Sequence, residues 1–262
     1  MIITVSLIQM DVALGRPQDN LDRVQERVAQ AAKAGATLVV LPELWGSGYD
    51  LASAGRYADE LESGLFAEMS ALAKTRAVYL AGSLLERKKG SFFNTAFLYD
   101  PDGVLRGHYR KTHLFRLMDE DLYLGAGNAM PVFDMPWGRT ALAICYDLRF
   151  PELFRHYACQ GAIFTIIPAQ WPARRVVHWR ALLQARAIEN QMIIAACNRV
   201  GQDGDEGESF SGHSVLCDAW GQRLIEGKDR EALLTASVDF ATVTQARSFI
   251  PVFDDRRSDL YG

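Results

Sequence analysis

Apolar and polar residues alternate at the start of the chain, in Met1-Ile2-Ile3-Thr4-Val5-Ser6-Leu7-Ile8-Gln9-Met10, which predicts a strand with one face in a core. A helical rhythm follows. Leu21, Val24, Val28 and Ala31 fall on one face, Asp19 or Asn20 is placed to cap, and Gly35 to close. The apolar run Thr37-Leu38-Val39-Val40-Leu41 predicts a buried strand. Strand, helix and strand in that order form a parallel-sheet unit. A helix is expected from Phe66 to Lys74, then strands near Val78 to Leu84 and Phe92 to Tyr99. Asp100-Pro101-Asp102-Gly103 is a strong turn signal before another short strand.

The second half repeats the opening pattern. Thr140-Ala141-Leu142-Ala143-Ile144 predicts a buried strand, and Pro151 sits where a helix would begin. A strand at Ala162 to Ile167, a helix at Val176 to Asn190 and a strand at Met192 to Cys197 follow. The acidic, Gly-rich stretch Gly201 to Ser211 is expected to be a mobile surface loop. A hairpin-like pair near His213 to Ala219 and Leu233 to Val238 would end the regular structure. Each half thus joins strand–helix–strand units to antiparallel strands. The expected class is α/β with a mixed sheet, or two sheets packed between helices, in a single domain over residues 1–262.

Composition narrows the function. The chain has 262 residues, 49% hydrophobic and 23% charged, so it can bury a sizeable core. Its net charge of -4 and lack of a long basic run argue against nucleic-acid binding. No stretch is apolar for long enough to span a bilayer, so no membrane partner is expected. The first residues lack a signal-peptide pattern, which makes the cytoplasm the expected compartment. The cysteines at 145, 159, 197 and 217 have no zinc-ribbon spacing, and no metal is expected. Three of them read as small buried hydrophobes. Cys145 does not.

Reactive side chains follow buried strands at three places, where a rigid sheet fixes a loop. Glu43 comes directly after apolar Leu38 to Pro42. Lys111 lies just past a strand and turn. Cys145 ends a strand before an expected helix, where a helix N-terminus or a cation would favour thiolate. Amide cleavage needs these types: a nucleophile, a base to take its proton, and a cation or N–H donors for the oxyanion. Each alone is weak evidence. A lone Glu is more often a cap or salt-bridged, a lone Lys solvated, and a lone Cys packed. The joint pattern is far more specific.

Pro42-Glu43, Arg110-Lys111-Thr112-His113-Leu114 and Cys145-Tyr146-Asp147-Leu148-Arg149-Phe150-Pro151-Glu152 resemble, in order and spacing, the three signature blocks of the nitrilase (carbon–nitrogen hydrolase) superfamily. The similarity extends through Gln170-Trp171-Pro172, Ala185 to Gln191, Gly212-His213-Ser214 and the tail Ile250 to Tyr261. It implies an α-β-β-α four-layer sandwich, assembled as a homodimer or larger homo-oligomer. It also implies Glu43 as general base, Lys111 as oxyanion-stabilising cation and Cys145 as nucleophile, with no cofactor. Glu120 best matches a second glutamate of the family; its other reading is part of a solvated acidic loop with Asp119 and Asp121.

Tyr146 and Asp147 after the nucleophile resemble the omega-amidase and Nit branch, where true nitrilases usually have Trp and Glu. Leu114-Phe115-Arg116 and Trp171-Pro172 are similar to bacterial omega-amidases, which release ammonia from dicarboxylate monoamides such as 2-oxoglutaramate. Such a substrate calls for a cation at its far end. Arg149, Arg174 and Arg175 are candidates by position, with Arg149 alternatively an ion-pair partner of Asp147 or Glu152. Tyr49, Tyr146 and Trp171 are candidate pocket walls, against plain core packing. An N-carbamoyl or other small-amide hydrolase of the same superfamily is the nearest rival, and a non-catalytic scaffold the next. A cysteine protease would need a Cys–His pair, and His113 and His213 read as structural.

Overall fold

A computed structural model describes residues 1–203 and 207–261. The first half contains β1 (Ile2–Gln9), α1 (Pro17–Lys33), β2 (Leu38–Val40), α2 (Ala54–Tyr57), α3 (Gly64–Arg76), β3 (Tyr79–Lys88), β4 (Ser91–Tyr99) and β5 (Leu105–Arg110). A single turn, α4 (Glu120–Tyr123), leads into β6 (Val132–Met135), β7 (Gly138–Leu142), α5 (Pro151–Cys159), β8 (Phe164–Ala169), α6 (Val176–Asn190) and β9 (Ile193–Asn198). The chain closes with β10 (Val200–Gln202), β11 (Ser209–Ser211), β12 (Val215–Cys217), β13 (Arg223–Glu226), β14 (Ala232–Asp239), α7 (Ala241–Phe249) and α8 (Ser258–Tyr261).

Two six-stranded mixed sheets form, in the orders β14-β1-β2-β3-β4-β5 and β13-β12-β9-β8-β7-β6. Alternation along each strand sorts its side chains between two layers. In the first sheet Val5, Leu7, Leu38, Val40, Ala81, Ala96 and Leu98 join the core shared with the second sheet. Their neighbours Ile8, Val39, Leu41, Leu80 and Phe97 pack instead with Val24 and Val28 of α1 and Phe66 and Met69 of α3. On the far side, Trp179, Leu183 and Ala187 of α6 and Leu153, Phe154 and Tyr157 of α5 cover the second sheet. The result is the expected α-β-β-α sandwich.

Beyond Cys159, which is exposed and not the buried hydrophobe expected, three local expectations need correction. Helix α1 begins at Pro17, whose locked φ suits a first turn, and not after Asp19 or Asn20. Asn20 lies inside the helix, buried, where its amide bonds the Ala13 carbonyl at 2.8 Å and the Gly46 carbonyl at 2.9 Å. Second, the predicted hairpin partners are in different sheets. Val215–Cys217 pairs with β13 and β9, whereas Ala232–Asp239 runs antiparallel to β1 along its full length. The free edge of β1 recruits β14, and the unforeseen strand β13 takes the hairpin position. Third, the flanks of the Gly201–Ser211 segment pair with each other as β10 and β11. Of the remainder, residues 203, 207 and 208 belong to no strand or helix, and 204–206 lie outside the described residues.

Strands β2 and β5 of one sheet and β7 and β8 of the other all end at one edge of the sandwich. Glu43, Lys111, Cys145 and Gln170 are the residues just beyond them. Such carboxyl-terminal edges leave polar backbone free for chemistry.

Candidate active site

Beyond β7 the chain stays apolar through Ala143 and Ile144, and Cys145 opens a 3-10 turn over Cys145–Arg149. Its φ of 42° is left-handed, a strained setting for a residue with a Cβ, which costs on the order of 1 kcal/mol. The turn is tied down by the buried Asp147. One carboxyl oxygen accepts the Ile144 N–H at 2.9 Å and the Tyr109 hydroxyl at 2.9 Å. The other accepts the His113 N–H at 3.2 Å, lies 2.8 Å from its Nδ1, and accepts the Thr112 hydroxyl at 3.3 Å. Asp147 therefore joins the cysteine turn to the segment just after Lys111. His113 also stacks on Phe150, with centroids 3.6 Å apart, which fits its structural reading.

Lys111 and Glu43 are fully buried. The Lys111 ammonium donates to Glu43 Oε1 at 2.8 Å and to Glu120 Oε1 at 2.6 Å. Glu43 Oε1 also accepts Asn94 Nδ2 at 2.8 Å, and Oε2 accepts the Gln170 N–H at 2.8 Å. The Gln170 amide returns a bond to the Glu43 carbonyl at 2.7 Å, so the two sheet edges are stitched together here. Glu120 is also fully buried and accepts the Phe115 N–H at 2.6 Å through Oε2. The solvated-loop reading of Glu120 is thus excluded, although its neighbours Asp119 and Asp121 are exposed. Tyr49 does not line the pocket beside Cys145. Its hydroxyl sits between the two acids, 2.9 Å from Glu43 Oε1 and 2.8 Å from Glu120 Oε1.

Burial opposes charge on the Lys111 ammonium, but Glu120 and Glu43 outweigh it and hold its pKa above the ordinary lysine range. Burial raises the Glu120 carboxyl, and Glu43 adds to the rise, against the pull of Lys111. The Cys145 thiol is pushed well above the usual thiol range by burial and then by the Glu43 carboxylate, with which it hydrogen bonds; Lys111 pulls the other way and loses. The thiolate-favouring environment expected from sequence is therefore absent at rest. Instead, a protonated thiol rests beside an acceptor that can take its proton as it attacks.

The space next to Cys145 is walled by Phe115, Tyr146, Arg149, Gln170, Trp171, Pro172 and Arg175. It is tight, about 10 Å³, room for about one water. Phe115 and Tyr146, whose ring centroids are 4.8 Å apart, separate it from a wider cleft of about 520 Å³ lined by His113, Leu117, Asp121 and Phe150. Tyr146, Arg149 and Trp171 are thus among the walls of this space. Arg149 pairs with neither Asp147 nor Glu152. Its guanidinium covers the Trp171 ring at 4.6 Å and reaches His178 Nδ1 at 3.3 Å. Arg174 points outward to Glu208 at 2.6 Å and does not line the pocket. Its neighbour Arg175 does.

Sequence reasoning missed Asn94, Gln170 and Arg199. Arg199 is fully buried and donates to Gln170 Oε1 at 3.0 Å, Asp203 at 2.6 Å and Asp11 at 2.8 Å. The signal for each was a polar residue inside an apolar stretch. Among the described residues no group of three or more His, Cys, Asp or Glu is arranged to hold a metal ion, and no helix is long and apolar enough to cross a membrane.

This architecture has known relatives. The family model for carbon-nitrogen hydrolases matches residues 4–248. The chain is 42% identical to the 2-oxoglutaramate amidase of Bacillus subtilis (strain 168), over 98% of this chain and 99% of that protein. It is 34% identical to omega-amidase NIT2 of Mus musculus, over 98% and 96%. The fold matches XC1258 from Xanthomonas campestris, a CN-hydrolase superfamily protein with an arsenic adduct in its active site. The TM-score is 0.92 and the identity 30%, covering 98% of this chain and 97% of that one.

Proposed function

The chain belongs to the carbon–nitrogen hydrolase family and is an amide hydrolase, and from that premise we propose that it is an omega-amidase. Its substrates are short dicarboxylate monoamides such as 2-oxoglutaramate, and it releases ammonia through a thioester. The observation that carries this reading is the meeting of a protonated thiol, a hydrogen-bonded carboxylate and a buried ammonium beside a pocket with two guanidinium groups.

In the first half-reaction Glu43 takes the Cys145 proton while sulfur attacks the amide carbon. Lys111 and the Tyr146 N–H, which lies at the open start of its turn, stabilise the oxyanion. Glu43 and Glu120 engage two hydrogens of the ammonium, and the third makes only a long 3.4 Å contact with the Tyr49 hydroxyl, which it can exchange for the developing charge. Protonated Glu43 then gives its proton to the leaving nitrogen; the carbon–nitrogen bond breaks, and ammonia departs. In the second half Glu43 takes a proton from water, hydroxide adds to the thioester carbon, and the carbon–sulfur bond breaks. The acid leaves, and the proton on Glu43 returns to sulfur. Glu120 and Tyr49 hold Lys111 and Glu43 in register through both halves.

The same reading takes residues 1–262 as one catalytic domain, working in the cytoplasm as a homodimer or larger homo-oligomer; light scattering on the eluted protein tests the assembly. The activity itself is tested by ammonia release from 2-oxoglutaramate. Wild type is expected to turn over, and Cys145→Ala to fall to background. Ammonia release by the variant at the wild-type rate would refute Cys145 as the nucleophile.

A further inference from the structure

Three arginines cluster beside the pocket, and their surroundings separate them. Arg174 is largely exposed and is paired with Glu208 at 2.6 Å. Arg149 is occupied on its face by Trp171 and at its edge by His178. Arg175 differs from both. Its Nη2 is shut off from solvent and has no hydrogen-bond partner among the described residues. Yet the side chain lines the same pocket as the Cys145 thiol.

Its orientation is fixed from two sides. The guanidinium lies over the Phe115 ring at 5.3 Å, and the Arg175 carbonyl accepts the Trp171 indole N–H at 2.8 Å. A buried cationic donor left unpaired is costly, and native structures rarely keep one without a reason. Burial lowers the Arg175 pKa, and Arg174 and Arg149 lower it further; Glu208 offsets only part of this, so an anion would relieve the site.

We propose that Arg175 is the specificity-determining residue of the site: its unpartnered guanidinium edge receives the remote carboxylate of the substrate and so sets the amide carbon over Cys145. This rests on the omega-amidase reading. A planar fork facing a carboxylate makes charge-assisted, directional bonds that a neutral amide cannot match. Arg149, on the same wall, adds positive field without being free to form the fork.

The test compares 2-oxoglutaramate with pentanamide, a neutral amide of the same carbon count. In Arg175→Met the ratio of the two kcat/KM values is expected to fall at least about tenfold, toward about 100-fold. Arg175→Lys should recover part of the ratio, because it restores the charge and not the fork. Arg174→Met should leave the ratio within about twofold. An unchanged ratio in Arg175→Met, or an equal loss on both amides, overturns the assignment.

A second measurement does not depend on turnover. Calorimetry with 2-oxoglutarate, the acid product, is run on Cys145→Ala with and without Arg175→Met. Binding that is lost with Arg175 supports the assignment, and binding indifferent to it overturns it. If the wild type releases ammonia from neither amide while binding still depends on Arg175, the omega-amidase reading fails and the anion site stands.

Discussion

Asp147→Asn tests how the nucleophile turn is fastened to the lysine segment. The Asp147 side chain is fully buried, so water cannot replace a lost partner. Its oxygens face five donor groups, and the decisive two are backbone. The His113 N–H is on one oxygen and the Ile144 N–H on the other. Tyr109, Thr112 and the His113 ring can turn or change tautomer, but a backbone N–H can only donate. An asparagine amide offers one oxygen and one NH2, so either orientation sets its NH2 against one of those N–H groups. A buried donor left unsatisfied costs about 1–3 kcal/mol, and the weaker bonds to a neutral acceptor add about 1 kcal/mol. The sum, about 2–4 kcal/mol, should lower the melting temperature by roughly 5–15 °C in a chain of this size. Because the Ile144 bond holds the strained Cys145 backbone in place, kcat should also fall, by about tenfold or more. Thermal unfolding followed by circular dichroism and ammonia release from 2-oxoglutaramate are the two assays. A loss under about 0.5 kcal/mol with unchanged kcat would refute the reasoning. It would mean that the Asp147 N–H to Ile144 carbonyl bond, at 2.9 Å, suffices to hold the turn.

Gly127→Ala should disturb the lysine strand, since an added Cβ would lie 2.1 Å from the Arg110 carbonyl oxygen while the Gly127 N–H bonds the Lys111 carbonyl at 2.8 Å. A cost of about 1–3 kcal/mol with reduced turnover is expected, and a wild-type urea midpoint and rate would refute it. Arg199→Met strips Asp203 of its cation and Gln170 Oε1 of its donor. The expected cost is about 2–4 kcal/mol in urea unfolding, with lower kcat because the Gln170 N–H holds Glu43; no change in either would overturn this coupling. Stability should also decline in alkali. Burial pushes the Cys217 thiol up to about 12 and raises Cys145 and Cys197 as well. An unfolded thiol ionises near pH 8.5, so the native state keeps protons that the unfolded chain releases. The contribution is complete below about pH 8.5 and is lost as pH rises toward the folded values. Each thiol removes about 1.4 kcal/mol per pH unit. Equal unfolding free energies at pH 8 and pH 10 would contradict it.

Periodicity made the layers legible, because a strand buried on two different faces must sort its side chains by twos. Val5 and Leu7 meet the other sheet while Ile8 meets α1, and the helical stripe of α1 answers from Val24 and Val28. Glu43 and Cys145 were legible for a related reason: a charged or nucleophilic group after an apolar run stands out from it, whereas Lys111 follows the polar strand Leu105–Arg110 and was legible through the resemblance of its segment. What stayed hidden depended on direction or on distant partners. Arg174 and Arg175 are adjacent in a 3-10 turn, where successive side chains diverge by about 120°. Position along the chain therefore named the pair and could not say which one faced the thiol. Tyr49 looked like a pocket wall because its two partners, Glu43 and Glu120, come together only through tertiary structure. Asn94 reads as one polar residue in an aromatic strand, yet it meets Glu43 across 51 positions, and Gln170 meets it across 127. These buried polar residues impose a requirement that apolar patterning does not express. Each needs a partner, and the partners are the reactive groups, so Glu43 is held by the very residues whose burial would otherwise be costly.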